Sequence, residues 1–552
     1  MSPGSPSRRE LLSAVAALGL GPATFHRAMA QQASKASTVT PEMVEAAEWI
    51  AGITLTPEQR KLVALGLTRT TPGNEELRKT VVGNEVPPAL QFNPAPGAAP
   101  TCEGRGSVQR LPPAVEVRKP ANEDEIAFLP VTSLAELIRT KQITSVELTK
   151  LYLKRLRAYD PLLKFVVTFT DDLAMKQAEA ADREIAAGNS RGPLHGIPWG
   201  AKDLIAVPGY KTTWGAATFR DQVRPETATV AERLENAGAV LIAKLTLGAL
   251  AWGDQWFGGM TRNPWNPDRG SSGSSAGSAS AVAAGCVGFA IGTETLGSIV
   301  SPSTECGVTG LRPTFGRVSR HGCMALAWSM DKIGPIARSV EDTALIFGAI
   351  HGADGLDPSA VDRRFDWPCK TPHHALRVGY TGDAEGRKEL QVLKDLGVKL
   401  VPIELPTEYP LPAMQQILFT EAASAFDDLV SQGDLDGIGL LWPAAMQRAM
   451  FTPAVQYLRA QRVRTLLMRA MAKVMEKVDL YVGGNDLVIT NFTGHPTICL
   501  PNGFIVEKGE PARPASLTFT GRLYGESGLM SVAKAYQDIT GHHRRTPPLK
   551  SP

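Results

Sequence analysis

Apolar residues at helical spacing dominate the first part of the chain. An apolar stripe follows Thr40, a residue type that caps helices, and a second helix is predicted to begin at Thr56. Periodicity is then lost from Pro87 to Pro113, a stretch rich in Pro, Gly and Ala that is typical of an extended arm or linker. We therefore expect residues 31–125 to form a small helical and proline-rich extension.

From Phe128 onward the pattern alternates between helical and strand-like segments. The sequence after Ser133 fits a capping box, and a second helix is predicted to begin at Ser145. Short apolar runs such as 239–242 are typical of buried strands, and the alternation continues as far as Ala535. This order of elements predicts an α/β domain, with residues 126–552 as its extent.

The first 30 residues have a different pattern. Arg8 and Arg9 precede a short apolar run, and Ala28-Met29-Ala30 matches the small-residue site at which signal peptides are cleaved. The run is too short to span a bilayer. An amphipathic helix of the folded protein is the alternative, but the order of the three features favours a twin-arginine export signal over residues 1–30. The mature chain would then be periplasmic or secreted from a bacterium, with no stable membrane insertion.

Charge and cysteine content narrow the function classes. The 58 basic and 55 acidic residues give a formal net charge of +3, which is no electrostatic footprint for nucleic acid. The 6 cysteines form no CxxC pair, so the sequence gives no support for a zinc or iron–sulfur site. Free, mostly buried thiols are expected instead.

A serine- and glycine-rich segment, residues 268–278, stands out from the rest. Such composition usually marks a flexible linker. This segment, however, runs directly into a helix of small residues and then an apolar strand, residues 288–292. Small residues continuous with the core indicate a backbone that approaches something closely.

Five blocks of this sequence resemble the motifs of the amidase signature family, in the family's order. They are Gly192 to Leu204 (GPLHGIPxxxKD in the family), Gly273 to Ser278 (GGSSGGS), Gly292 to Pro302 (GTDTGGSIRxPA), Cys306 to Thr314 (CGVxGLKPT) and Asn491 to Pro496 (NxxGxP). The resemblance covers roughly residues 128–545. It implies a single domain with a large mixed β-sheet flanked by helices on both faces.

The resemblance also implies a catalytic triad. Lys202 matches the family's base, Ser274 its bridging serine after a cis peptide bond, and Ser298 its nucleophile. A serine hydroxyl needs a neighbouring base to become nucleophilic, and lysine serves only when burial keeps it neutral. The backbone amides of residues 295–298 (Thr295, Leu296, Gly297, Ser298) match the oxyanion hole, and Ser275 and Ser278 match supporting residues.

Several positions depart from the family pattern. Leu296 stands where the family has the first of two glycines, which requires a turn compatible with a side chain or implies an altered oxyanion hole. Val300 replaces the family's arginine, Ser272 a glycine of the serine loop, and Ala276 another. All three reacting residues are kept, so an active enzyme with a shifted pocket is expected.

Other groups invite other interpretations. Trp252, Trp256 and Phe257 lie between the lysine and the serine loop in the sequence. They either pack in the core or form an aromatic wall of the acyl pocket. A Ser-His-Asp triad through His195, His321 or His495 is disfavoured because no GxSxG elbow surrounds Ser298.

The sequence thus predicts hydrolysis of a small-molecule carboxamide, other than a peptide bond, through an acyl-enzyme on Ser298. The mechanism needs no metal or organic cofactor. The resemblance leaves a homodimer open, as well as side activity on esters or carbamates. Two alternatives remain: a protein like the amidase component of the tRNA-dependent amidotransferases, which the export signal argues against, and a catalytically silent binding homologue.

Overall fold

The computed structural model describes residues 38–51, single positions from 56 to 68, and residues 104–110, 116–432, 435–449, 452–484, 486–506 and 511–549. The predicted export signal lies outside these residues, as does most of the predicted proline-rich arm. By contacts the chain divides into two units, one of residues 1–83 with 451–453 and one of residues 84–450 with 454–552. The boundaries predicted at 30 and 125 remain predictions.

In the smaller unit, helix α1 (Pro41–Ala51) begins directly after Thr40, as its sequence predicts. The Thr40 hydroxyl accepts a hydrogen bond from the Met43 amide, which satisfies one of the free donors of the first turn. Arg60 pairs with Glu45 at 2.8 Å and with Glu48 at 2.7 Å.

The larger unit is built on one mixed sheet of 11 strands. Its strands are β1 (Val166–Phe169), β2 (Pro198–Lys202), β3 (Val240–Leu245), β8 (Phe289–Glu294), β9 (Thr309–Arg312), β10 (Lys332–Ala337), β11 (Arg377–Tyr380), β12 (Lys399–Pro402), β13 (Leu480–Gly483), β14 (Thr497–Ile505) and β15 (Arg513–Gly521). Their order across the sheet is β1-β3-β2-β8-β10-β9-β14-β15-β13-β11-β12. Two small hairpins pair β4 (Gln255–Trp256) with β5 (Gly259–Met260) and β6 (Arg262–Asn263) with β7 (Asn266–Gly270). The predicted α/β class and mixed sheet are confirmed.

Helices cover the sheet. Every residue of β2, β3 and β8 is buried, and because successive side chains of a strand point to opposite faces, both faces must be covered there. The helices after α1 are α2 (Glu123–Ala127), α3 (Val131–Arg139), α4 (Ser145–Leu163), α5 (Asp171–Ala186), α6 (Thr229–Asn236), α7 (Ala276–Ala283), α8 (Val300–Cys306), α9 (Val340–Ile350), α10 (Lys388–Asp395), α11 (Leu411–Met414), α12 (Gln416–Ala425), α13 (Asp427–Gln432), α14 (Trp442–Ala449), α15 (Ala454–Lys477), α16 (Leu487–Thr493) and α17 (Glu526–Thr540).

One predicted helix start is wrong. Helix α3 begins at Val131, before Ser133, and its N-cap is Pro130, which makes no side-chain cap. Proline fixes the φ angle that leads into the first turn, so the capping box that the sequence suggests at Ser133 is not needed. At α4, by contrast, Thr144 and Glu147 form a full capping box just before the predicted start.

The order of strands in the sheet determines where polar groups meet. Strand β2 runs parallel to both β3 and β8, so the carboxyl ends of these strands lie at one edge of the sheet. Strand β10 runs antiparallel to β8, with Lys332 opposite Glu294. The end of β2 at Lys202, the end of β8 and the start of β10 are therefore neighbours.

Among the described residues, no helix combines the length and apolar character that crossing a membrane requires. The described cysteines are unpaired, and Cys286, Cys306 and Cys499 are buried, as expected of structural thiols.

Candidate active site

Lys202 ends β2 with its side chain fully enclosed. Its Nζ lies within hydrogen-bond distance of three hydroxyl oxygens, those of Ser274 at 2.8 Å, Thr293 at 2.9 Å and Ser275 at 3.0 Å. The exposed fraction of Lys202 is 0%. This excludes the interpretation of Lys202 as a surface lysine beside Asp203. A neutral amine keeps one lone pair, so one of these hydroxyls can donate its proton to it.

Burial sets the protonation of this lysine. Desolvation lowers the pKa of Lys202 from its usual range to about 7, while the charges of Asp331 and Glu294 partly oppose the shift. Near neutral pH, a substantial fraction of the protein molecules therefore carries Lys202 in its uncharged form. That is the state in which an amine can accept a proton.

Asp203, the next residue along the chain, does not neutralise Lys202. Its carboxylate pairs with Lys244 at 2.7 Å and accepts a hydrogen bond from the Thr213 amide at 2.9 Å. Both members of the ion pair are fully buried. The carboxylate that is nearest in sequence is thus paired elsewhere, and Lys202 has only hydroxyl and carbonyl partners within hydrogen-bond distance.

The serine loop between β7 and α7 approaches other backbone closely. The Gly273-Ser274 peptide bond is cis, as the resemblance implies. A Cβ at Gly273 would lie 1.8 Å from the carbonyl oxygen of Gly253, so only glycine fits there. Ser272, where the family has glycine, has a φ of +60°, and its amide donates to Asp254 at 3.1 Å. That hydrogen bond helps to hold a residue in a region that favours glycine.

Ser275 links this loop to the strand and to the loop of Ser298. Its hydroxyl donates to the Thr293 carbonyl and accepts from the Thr293 amide, both at 3.1 Å. Its own amide donates to the Ser298 carbonyl oxygen at 3.1 Å. Ser278 lies further away: its hydroxyl donates to the Ile291 carbonyl at 3.1 Å, which fixes α7 against β8.

Ser298 lies in the turn between β8 and α8. Gly297 has a φ of +94°, and a Cβ there would lie 2.9 Å from the Ser301 hydroxyl. Leu296 is not among the residues with positive φ, so the turn accepts its side chain, which packs against the core. Gly297 is therefore the position in this turn that requires glycine. The leucine at position 296, where the family has glycine, is compatible with the backbone.

Glu294 is a site residue that the sequence reasoning missed. One carboxylate oxygen accepts the amides of Ile299 at 2.9 Å and Val300 at 3.0 Å, and the other accepts from Arg312 at 2.7 Å. Asn491 adds a fourth hydrogen bond at 2.8 Å. Burial alone would raise the pKa of Glu294, but the positive charges around it, Arg312 first, hold it at about 2. An acidic residue at the end of an otherwise apolar strand was the available signal.

Asp331 supports the same turn from the opposite side. Its carboxylate accepts the Thr295 hydroxyl at 2.6 Å and the amides of Leu326 at 2.8 Å and Ala327 at 3.0 Å. Burial raises the pKa of Asp331 above its usual range, while these hydrogen bonds lower it. The turn that carries Ser298 is therefore held by one buried carboxylate on each side.

A cavity opens beside this turn. Thr293, which contacts Lys202, and Thr295 both belong to its wall, and most of the rest comes from residues 320–333.

The three aromatic residues predicted for the pocket lie outside the walls of this cavity. Trp252 packs against Trp442 with ring centres 4.7 Å apart, and its neighbour in sequence, Ala251, is part of the wall. Trp256 and Phe257 pack against each other, also at 4.7 Å. Their role in substrate binding remains a prediction.

Of the three histidines considered as alternative bases, His321 belongs to the cavity wall, and the other two have other partners. His195 lies 3.2 Å from Glu184, and the His495 ring is 2.8 Å from the Thr493 hydroxyl. Burial lowers the pKa of His495 to about 3. Within the described ranges, no three His, Cys, Asp or Glu side chains form a group that could hold a metal ion.

Comparison with known proteins agrees with this geometry. The sequence model of the amidase family matches residues 147–483, more than half of the chain. The chain belongs to the amidase family. The motifs quoted from its sequence had already indicated this membership, which is now confirmed.

Individual relatives give the same result for this chain. It is 34% identical over 491 residues to the A component of the glutamyl-tRNA(Gln) amidotransferase of Moorella thermoacetica, with 77% of this chain and 99% of the relative covered. The peptide amidase of Stenotrophomonas maltophilia superposes with a TM-score of 0.67 at 30% identity, covering 76% of this chain and 98% of that one. A bacterial aryl acylamidase at 23% identity and a TM-score of 0.67, covering 77% and 99%, shares the fold.

Proposed function

We propose that this amidase hydrolyses a carboxamide through an acyl-enzyme on Ser298. The observation that carries the proposal is the enclosed Lys202, whose Nζ lies 2.8 Å from the Ser274 hydroxyl and whose pKa is lowered to about 7 by burial. A buried lysine without a carboxylate partner within hydrogen-bond distance is costly for folding. Its value lies in being able to accept a proton near neutral pH.

The proposed proton path has two transfers. As the Ser298 oxygen forms its bond with the amide carbon, the Ser298 proton passes to the Ser274 oxygen, and the Ser274 proton passes to Lys202, which becomes an ammonium ion. Collapse of the tetrahedral intermediate breaks the C–N bond, and the leaving nitrogen takes a proton back along the same path. Water then attacks the ester in the same way, releasing the acid and restoring Ser298.

The negative charge on the carbonyl oxygen needs fixed donors. The amides of Thr295, Leu296, Gly297 and Ser298 are the proposed donors, since they lie in one turn at the end of β8. The carboxylate of Glu294, on amides 299 and 300, and that of Asp331, on the Thr295 side chain, support a rigid turn. Donors that are already in place need no reorganisation during the reaction.

Labelling with a fluorophosphonate tests the mechanism. We expect covalent label on Ser298, located by peptide mass spectrometry, and loss of label in both Ser298→Ala and Lys202→Ala. Ser278→Ala is the matched control, because that hydroxyl bonds Ile291 and not Lys202. A folded protein that takes no label would be the silent homologue, and the proposed hydrolysis would be wrong.

A second candidate function follows from the relatives. Proteins named as the A component of glutamyl-tRNA(Gln) amidotransferase match 77% of this chain at 34% identity. A component of that kind would release ammonia from its amide donor for use by partner proteins. Purification of the native protein distinguishes the two: a stable complex whose amide hydrolysis depends on its partners favours the amidotransferase, whereas full activity of the isolated chain favours the amidase.

We also propose that the chain is exported, on the basis of Arg8, Arg9 and the small-residue site before Gln31. Fractionation of the native bacterium tests this. Mature protein beginning at Gln31 in the periplasm or medium is expected, and accumulation in the cytosol after Arg8→Lys with Arg9→Lys. Uncleaved wild-type chain found only in the cytosol would overturn export and favour the amidotransferase.

A further inference from the structure

We propose that Arg464 and Glu421 are positioning residues for the reaction, although both lie outside the cavity wall. They fix the relative position of two segments, residues 326–331 and helix α16, and each of these segments supports the Ser298 turn through a buried carboxylate. The inference rests on the proposed amide hydrolysis and adds to it two residues that act on the reaction through others.

Arg464 joins two segments that are far apart in the sequence. Its side chain belongs to α15 and is buried, with an exposed fraction of 1%. Nε donates to the Phe492 carbonyl oxygen at 2.7 Å, while Nη1 and Nη2 donate to the hydroxyl and the carbonyl oxygen of Ser329, both at 2.8 Å. A guanidinium is planar and presents its donors in a fixed arrangement. Three such bonds therefore leave little freedom between Ser329 and Phe492.

Ser329 lies inside a loop that Asp331 closes. The Asp331 carboxylate accepts two backbone amides, and the Asp331 amide donates to a carbonyl oxygen at 2.9 Å, all within residues 326–331. These residues form a compact turn, so a bond to Ser329 holds the whole loop. The same carboxylate accepts the Thr295 hydroxyl at 2.6 Å. Fixing Ser329 therefore fixes the support that the Ser298 turn receives from this side.

The other bond of the arginine holds α16. The Phe492 carbonyl lies in the last turn of this helix, where carbonyl oxygens lack partners within the helix and a basic side chain is favourable. The preceding residue, Asn491, donates to the Glu294 carboxylate at 2.8 Å. Glu294 binds the two amides that follow the nucleophile. Arg464 thus reaches the second carboxylate through one residue of α16.

Glu421, on α12, binds the same loop and balances the charge of the arginine. Its buried carboxylate accepts the Ser329 amide at 2.8 Å, the Ser329 hydroxyl at 2.6 Å and the Tyr457 hydroxyl at 2.9 Å. Burial lowers the pKa of Arg464 to about 10, and the charge of Glu421 opposes this shift, so the arginine stays charged near neutral pH. Buried opposite charges add little stability, since apolar residues of similar volume do as well or better. What they add here is a fixed geometry between the loop and α16.

Movement of either segment would change the protonation of Lys202. Burial lowers the pKa of Lys202, and the charges of Asp331 and Glu294 oppose that shift. Neither Arg464 nor Glu421 acts on this pKa directly. A changed pKa of Lys202 in their variants would therefore report that one of the two carboxylates has moved.

The rate at which a fluorophosphonate labels Ser298, measured between about pH 5 and pH 9, tests the inference without a known substrate. Arg464→Lys keeps the charge, but one ammonium group cannot reach all three acceptors. We expect its labelling rate at pH 8 to fall about 10-fold, since small misplacements of reacting groups are costly. The acid limb should move to lower pH by roughly 0.5 unit, the effect of moving one carboxylate by about 2 Å at an effective dielectric constant of about 20. Glu421→Gln, which keeps an acceptor oxygen and loses the charge, should move the limb in the same direction.

Arg338→Lys is the matched control. Arg338 follows the opposite end of β10, has an exposed fraction of 8%, and donates to the carbonyl oxygens of Leu129, Val282 and Val287. Its replacement should lower the free energy of unfolding, as Arg464→Lys does. The labelling rate should stay within about 2-fold of the wild type, with the acid limb unmoved, because the two sites are independent.

Failure of this inference can be told from failure of the proposed function. If the wild type is labelled but the folded Arg464→Lys and Glu421→Gln proteins keep its acid limb, the two residues are structural only and the mechanism stands. An equal shift of the limb in Arg338→Lys would also overturn the inference. If Arg464→Lys does not fold, Glu421→Gln decides alone. A folded wild type that takes no label would contradict the mechanism itself, and the inference with it.

Discussion

The carboxylate of Glu294 lies 2.7 Å from the guanidinium of Arg312, and neither side chain is exposed to solvent. This pair sits behind the Ser298 turn, because the same carboxylate accepts the amides of Ile299 and Val300. Val300 occupies the position of the family's arginine and is itself buried, with an exposed fraction of 3%. The turn is therefore fixed from inside the protein by Glu294 and Arg312.

Replacing Glu294 with glutamine should reduce kcat more than it raises KM. The glutamine side chain lacks the negative charge that holds the backbone amides of residues 299 and 300. It also leaves Arg312 buried without its counter-charge, which is a costly state. We expect kcat to fall about 10- to 100-fold, less than the roughly 100- to 1,000-fold loss caused by removing one oxyanion donor, because the donors are displaced and not removed. Glu136→Gln is the matched control, since Glu136 is also paired with arginines but lies on α3.

The same variant should shift the pH profile. The negative charge of Glu294 raises the pKa of Lys202, so its removal lowers that pKa and moves the acid limb of kcat/KM to lower pH. A purely structural role would lower the rate without moving the limb. An unchanged limb would therefore contradict the electrostatic link.

The wild-type enzyme should lose activity as the pH falls through about 7. Lys202 must be neutral to accept the Ser274 proton, and burial lowers the pKa of Lys202 to about 7. A plot of kcat/KM against pH is expected to rise with unit slope below 7 and to level above it. Lys202→Arg should be inactive at every pH, because arginine does not release its proton in proteins. An acid limb near pH 4 would instead indicate a carboxylate base.

Lys202→Met should be inactive and more stable than the wild type. Lysine titrates near 10.4 in the unfolded chain but at about 7 in the fold, so the unfolded state binds more protons between these values and stability rises with pH. The lysine thus costs about 3 kcal/mol at pH 8. Denaturant unfolding at pH 8 and pH 10 tests this: the advantage of methionine should shrink toward pH 10, and a constant difference would contradict the linkage.

Gly297→Ala should impair catalysis much more than Leu296→Ala. A side chain at Gly297 would meet the Ser301 hydroxyl at 2.9 Å, on a backbone with a φ of +94°. The strain amounts to roughly 1–2 kcal/mol for an L-residue, and relief would move the Ser298 amide. Leu296 lies outside the left-handed region, so alanine fits there. Measuring kcat for both variants tests whether glycine is required at position 297. Equal losses of kcat in the two variants would contradict that requirement.

The sequence was sufficient to predict the family and the α/β class, and both predictions are confirmed. The ordered motifs also named Lys202, Ser274 and Ser298, and the fold brings the lysine and the serine loop within hydrogen-bond distance. Motifs can name such positions because the chemistry restricts the residue type. The roles assigned to these three residues remain predictions until the labelling is done.

Partnerships between distant residues could not be predicted in the same way. Glu294 and Arg312 are 18 positions apart, on strands that β10 separates in the sheet, so their contact depends on side chains that reach past β10. Trp252 shows a related limit: its proximity in sequence to the motifs does not place it in the wall of this cavity, and its role in substrate binding stays a prediction.

The cavity wall and the proton-transfer groups come from different parts of the chain. Residues 320–328 belong to the connection between β9 and β10, whereas Lys202 ends β2 and Ser298 follows β8. Changes in that connection alter the shape of the wall and leave the lysine and both serines in place. Substrate preference can therefore evolve by exchange of one loop. A chimera that carries another relative's residues at positions 320–328 and keeps Asp331 should hydrolyse that relative's substrates with the acid limb unchanged, because Asp331 is the carboxylate of this connection that acts on the pKa of Lys202.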